Sequence, residues 1–403
     1  MSLDLDKVAR QIQGMADSLF RSSEERKKRC REALSLLYAG AEKFDSLKDK
    51  VGRSKTTWLV PELYERFDRR FPAPSLPNDF TVIGSDGSHI DVDRHRQARC
   101  FLINIGMVTL TYGEHPDAVL ENFPYLYYGD ENTYLFPPKG ASGREQPIEG
   151  QLLGIKRSVH ELESLAETAH RLPSDVPALG LIDGTLLLWG LGGKDLPSFV
   201  TEALLDNGFL KHLDSIKKEN ESKSLAVAAY ISFPRSADVV NVLKVALCPH
   251  ETPDCDRYCR DAAFGKRDCD AVSSVRDRDL FCDLLKQGER SALFISGSSV
   301  NDRYREHRVY FFYLNADDEI ARIEIPEWVA LNDNLLNLTH SIVLDQCRRG
   351  QGYPVALSEA HEQAVVGMND RENFWHLTES YLEAESFTVS SSGKNMSKRT
   401  RWI

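Results

Sequence analysis

The chain has 403 residues, 41% hydrophobic and 28% charged, with 17 Pro and 25 Gly, the composition of a globular protein with room for two domains or one large domain with additions. Its net charge of −11 excludes a protein that coats nucleic acid by bulk positive charge, though not local binding, and no apolar run approaches the roughly 20 residues of a membrane helix. Eight Cys behind an acidic N-terminus without an apolar leader point to reduced thiols or metal ligands and a cytoplasmic setting.

Residues 4–50 carry Val8, Ile12, Met15 and Leu19, then Leu34, Leu36 and Leu37, at helical spacing in a charged background. Two amphipathic helices are expected there, as an N-terminal helical arm over residues 1–78. The run Phe71-Pro72-Ala73-Pro74-Ser75-Leu76-Pro77 cannot continue a helix and marks a boundary before a core that starts near Asp79. Phe80 to Ser85 reads as a strand, and Cys100 to Tyr112 as a strand pair.

Residues 151–171 place Leu152, Ile155, Val159, Leu162, Leu165 and Ala169 on one helical face and stop before Pro173. A strand follows over Leu179 to Ile182. Helices are expected over 198–220 and 238–247, and strands over 224–231, 291–295, 309–314 and 320–325. The last two flank the turn Asn315-Ala316-Asp317-Asp318. Helices return from Leu335, and residues 371–403 read as a C-terminal helix and a basic tail with Lys394, Lys398, Arg399, Arg401 and Trp402, suited to single strands or to partner docking. The fold class is α/β.

Two strands run into Asp-Gly-hydroxyl triplets, Asp86-Gly87-Ser88 and Asp183-Gly184-Thr185. Alone, each triplet is better explained by an ordinary turn, and only the pair brings the two readings level. As a pair at strand ends they suit two carboxylates aimed at one hard cation such as Mg or Mn, the chemistry that phosphodiester hydrolysis requires. The helix before the second triplet offers Glu161, Glu163 and Glu167 as a third ligand. Arg290 and Arg303 to Arg308 read as DNA-groove cations or, slightly better, as solvated charge. Arg322 and Glu324 share a strand face, to brace the site or to pair with each other.

Two later blocks extend the pattern: Phe311-Phe312-Tyr313-Leu314 into Ala321-Arg322-Ile323-Glu324-Ile325-Pro326, and Gly352-Tyr353-Pro354 through Ala360-His361-Glu362. With the two triplets, in this order, the chain resembles the NurA family of DNA-end-processing nucleases over about Phe80 to Val366. The resemblance implies a ribonuclease H-like mixed sheet flanked by helices, a nuclease domain over residues 79–370, and Mn-dependent cleavage of DNA, with Mg as a possible substitute. It places the family's acidic residues on Asp86, Glu161 and Asp183, with Glu163 as the fallback for the second, and its late tyrosine and histidine on Tyr353 and His361. A homodimer formed through the helical additions is expected, and the resemblance implies a partner, the hexameric HerA-type ATPase. No G-x-x-x-x-G-K-[ST] loop occurs in this sequence, so the motor would be another protein.

A Cys-rich insertion over residues 248–276 gathers Cys248, Cys255, Cys259 and Cys269, a candidate structural Zn site at about even odds with free thiols, an iron–sulfur cluster being less favoured. Two rival functions remain at this stage. One is a nucleotide-binding phosphotransferase of related fold, disfavoured because its glycine-dense phosphate loops are missing. The other is a non-catalytic subunit that docks on the motor.

Overall fold

A computed structural model describes residues 4–93, 98–140, 143–193, 196–317 and 319–385. The basic-tail residues Lys394, Lys398, Arg399, Arg401 and Trp402, and Asp318 of the expected turn, lie outside them. The strands of six or more residues are β1 (Phe80–Ile90), β2 (Cys100–Tyr112), β3 (Asp117–Tyr128), β4 (Ala178–Asp183), β5 (Leu225–Ile231), β6 (Val309–Asn315) and β7 (Ile320–Pro326). The α-helices of eight or more are α1 (Leu5–Glu42), α2 (Phe44–Gly52), α3 (Gln151–Arg171), α4 (Leu210–Glu219), α5 (Asp238–Leu247), α6 (Asp277–Leu284), α7 (Asp333–Arg349), α8 (Val355–Ala364) and α9 (Met368–Ala384). A π-helical stretch, Glu202–Phe209, leads into α4. No described helix is long and apolar enough to cross a membrane.

The chain divides into two compact units. One comprises Met1–Ala73, Ile231–Ser298 and Tyr310–Ile323. Its core joins Leu37, Phe67, Val239, Leu243, Phe281, Phe294, Phe311 and Tyr313. A buried carboxylate, Asp277, organises it by accepting the Val239 and Val240 N–H groups at the start of α5 and the Tyr313 hydroxyl, 2.7 Å away. The strand expected over 291–295 is broken here into Arg290–Ser291 and Phe294–Ile295.

The other unit comprises Pro74–Tyr230, Ser299–Val309 and Glu324–Ile403. Its strands run in the order β3-β2-β1-β4-β5, with β1, β4 and β5 parallel and β2 and β3 antiparallel to their neighbours. This is the mixed, ribonuclease H-like sheet that the sequence led us to expect, flanked by helices. Ile83, Ile103, Ile105 and Ile182 pack with Leu153, Leu162 and Leu165 of α3 and Leu213 of α4 in one core.

Two strand expectations are corrected. Segment 100–112 is one strand, not a pair, and its antiparallel partner on the far side is β3. That strand is solvent-exposed along most of its length and holds Pro124, which an edge tolerates, so no apolar alternation announces it. The first strand runs on to Ile90, so Asp86 sits inside a ladder, opposite Gly106, and not at a strand end.

Helix α8 lies on the sheet with almost no spacing. A Cβ added at Gly84 would stand 2.3 Å from the Ala356 carbonyl oxygen, and one at Gly106 would stand 2.1 Å from that of Ala360. Ser88 Oγ and Asn104 Nδ2 both donate to the Ala364 carbonyl and fasten the helix end. Gly84→Ala and Gly106→Ala should therefore each destabilise the protein by about 1–3 kcal/mol through overpacking, read as a lower urea midpoint at unchanged slope.

Candidate active site

Parallel pairing of β1 with β4 sets Ser85 beside Ile182, so the next residues, Asp86 and Asp183, fall level on neighbouring strands and, by the pleat, on one face. Asp183 ends its strand. Gly184 follows at φ +94°, a left-handed conformation that side chains disfavour, with its N–H bonded to the Tyr230 carbonyl at 3.0 Å. Thr185 Oγ1 and the Leu186 N–H then donate to one oxygen of buried Glu324, at 2.6 and 3.0 Å. Glu324 thus braces the second triplet, while Arg322 is bound to Asp238 at 2.7 Å.

The same face receives the two late residues from α8 and the turn before it. His361 Nδ1 lies 2.8 Å from Asp86 Oδ2, and the other Asp86 oxygen accepts the Gly87 N–H at 2.7 Å. An ionised carboxylate only accepts, so the proton of that imidazole belongs on Nδ1 and its basic lone pair on Nε2. Tyr353 hydrogen-bonds Asp183 through its side chain, and its ring meets Tyr230 edge-on with centroids 5.4 Å apart.

Glu161 arrives from the opposite face. Ser85 Oγ donates to its backbone carbonyl at 2.9 Å, and a Cβ on Gly87 would stand 2.7 Å from its Oε1, so the glycine after Asp86 is the opening through which this carboxyl reaches the strand. Burial above all pushes the Glu161 carboxyl up, to about 8; Arg157 opposes this, and the charges of Asp86 and Asp183 add to it. Asp183 keeps solvent access at the strand end but is closely ringed by protein. Its carboxyl is raised by that desolvation, against the Tyr353 hydrogen bond, and further by Asp86. Glu163 faces elsewhere: it pairs with His160 at 2.8 Å and, with Glu167, lines a separate cavity of about 810 Å³ beside Tyr125 and His212.

The donors suit a hard divalent cation: three carboxyls of which two are raised, an imidazole, and a Glu161 Oε1 that is buried and accepts no hydrogen bond. They do not yet form a closed cage. Among the described residues, the one group whose ligand atoms all lie within 4.8 Å of one another is Asp214, Glu306 and His307. There both ring nitrogens of His307 are engaged, Nε2 with Asp214 at 2.7 Å and Nδ1 with the Trp328 N–H at 3.2 Å, while Glu306 pairs with Lys217. That trio is a structural tie.

Other sequence candidates are placed as follows. Cys248, Cys255, Cys259 and Cys269 are free, half-buried thiols, and no three of them stand within 4.8 Å of one another. Arg290 is buried over the Phe71 ring, so it offers no groove contact. Arg303 and Arg305 both pair with Asp206 at 3.2 Å. Sequence reasoning passed over Arg157, whose Nε lies 2.9 Å from Glu161 Oε1; its position one turn before the glutamate was the available signal.

A family model, the NurA domain, matches residues 80–366, from the first residue of β1 to two residues past α8. The chain belongs to the NurA family. NurA proteins form a nuclease family associated with DNA end processing, with DNA substrates and with the HerA motor. The comparison with curated proteins gave no match. Among solved structures, the chain is similar to an Argonaute structure from Aquifex aeolicus at 10% identity and a TM-score of 0.27, over 73% of this chain and 29% of that one. A superposition that loose carries no argument.

The raised Glu161 carboxyl predicts a pH dependence. A group whose value rises from 4.5 unfolded to about 8 folded gives stability that is full below 4.5 and is lost as pH climbs through 8. Chelated wild type should lose stability across that window, and Glu161→Gln should flatten the curve and be the more stable protein at its alkaline end, as read by urea melts at stepped pH.

Proposed function

We propose that this NurA protein is a divalent-metal-dependent deoxyribonuclease, with Mn as the preferred ion, that trims DNA ends fed to it by a HerA-type ATPase. The observation that carries the reading is the level placement of Asp86 and Asp183 on parallel strands, with Tyr353, His361 and Glu161 brought to the same two strand positions. Asp86, Asp183 and Glu161 are the residues that would hold the metal, with His361 at the margin. The bound ion would lower the pKa of water and neutralise charge developing on the phosphate.

The rest of the chemistry belongs to side chains. His361, oriented by its bond to Asp86, presents Nε2 to take a proton from the attacking water or give one to the leaving oxygen. More than half of its side chain is exposed, so it reaches substrate without rearrangement of the core. Tyr353 fixes the Asp183 carboxylate through its hydroxyl, and the edge-on Tyr230 ring fixes Tyr353 in turn. Intact carboxyls at all three acidic positions favour a catalytic subunit over one that only docks on the motor.

Cleavage of linear single- and double-stranded DNA in Mn, in Mg and in chelator tests the reading. Chelator should abolish activity, and Asp86→Asn and Asp183→Asn should each lower it by roughly 100-fold or more. Tyr353→Phe should cost less, roughly tenfold, because it loosens a ligand without removing one. Equal cleavage by wild type and both Asp variants would sink the assignment.

A further inference from the structure

Glu161 carries a conflict that the other site residues do not relieve. Its side chain is 3% exposed, the charges of Asp86 and Asp183 act against it, and the cation beside it is Arg157, one turn earlier on α3. The contact is close yet poorly made. Arg157 Nε lies 2.9 Å from Glu161 Oε1, but both atoms are buried and neither forms an aligned hydrogen bond. Arginine preceding glutamate is also the weaker order for an i,i+4 pair on a helix. The pair is wedged against the residue after Asp86, because a Cβ on Gly87 would stand 2.7 Å from Oε1 and 2.9 Å from Arg157 Cγ.

Arg157 is built to leave. A third of its side chain is exposed, so its long stem has a path to water while Glu161 has none. We propose that Arg157 is a positioning residue: the resident counter-ion of Glu161 in the metal-free protein, which yields that place to a divalent cation and turns its guanidinium outward at the edge of the site. The inference rests on the metal reading of the Asp86, Asp183 and Glu161 centre. Its physical ground is competition between like charges. A divalent ion beside Oε1 repels the guanidinium and supplies twice its charge, and the displaced planar fork matches the oxygens of a phosphate entering the same mouth.

The test needs no catalysis. Thermal melts of the full chain are recorded in alkaline buffer, where the carboxyls are ionised, with chelator or with excess Mg²⁺. The proteins are wild type, Arg157→Gln, Arg157→Lys, Glu161→Gln and the Arg157→Gln/Glu161→Gln double variant. Arg157→Gln should melt several degrees below wild type in chelator, and Mg²⁺ should close that gap by stabilising the variant more than the parent. Arg157→Lys, which keeps the charge, should stay near wild type. In the Glu161→Gln background, loss of Arg157 should change the melting temperature little, with or without Mg²⁺.

A deficit of equal size in chelator and in Mg²⁺ would show that Arg157 merely packs the helix, and would overturn the inference while leaving the metal site standing. No deficit in chelator overturns it as well. If neither Mg²⁺ nor Mn²⁺ stabilises even wild type, the metal reading itself falls.

Discussion

The parallel register between Phe80–Ile90 and Ala178–Asp183 is the constraint on which the site depends. Side chains alternate along a strand, so a slip of one residue would turn Asp183 to the far face and leave Asp86 alone beneath α8. The register is held by buried side chains on both faces and by the loop beyond Asp183, where Glu324 clamps Thr185 and Leu186. The candidate site is thus placed by strand pairing first and by side-chain contacts second.

Helices on the two faces then complete different halves of the centre. Helix α8 rides directly on backbone at Gly84 and Gly106, which leaves no room for an intervening side-chain layer and brings His361 within hydrogen-bond reach of Asp86. Helix α3 keeps a packed apolar layer against the sheet through Leu162 and Leu165 and sets a buried carboxyl, Glu161, into it. A carboxyl so buried is costly to ionise, and its raised value expresses a burial that Arg157 only partly offsets.

Much of this could be read from sequence. The apolar runs before Asp86 and Asp183 and the helical period of 151–171 gave the sheet and α3, because each has a strong local pattern. The edge strand Asp117–Tyr128 could not be read, since exposure on both faces erases alternation. Asp86 looked like a strand end because Gly87 and Ser88 resemble a turn; the glycine is there to admit Glu161, and Ser88 ties down α8. Arg157 drew no reading from the sequence, because only the fold reveals the buried carboxyl beside it. The hold of Glu324 on Thr185 spans 139 residues and has no local signature.

The bond between Asp86 and His361 joins residues 275 apart in the chain. A contact of that span forms late, since most of the intervening chain must be in place before its loop-closure entropy is recovered. During synthesis the sheet aspartates emerge long before the helix that completes them, because translation proceeds from the N-terminus. The order of the elements therefore sets when the centre can close: a half-made chain holds its acidic strands without their imidazole and phenol partners until residues through Ala364 have been released to fold.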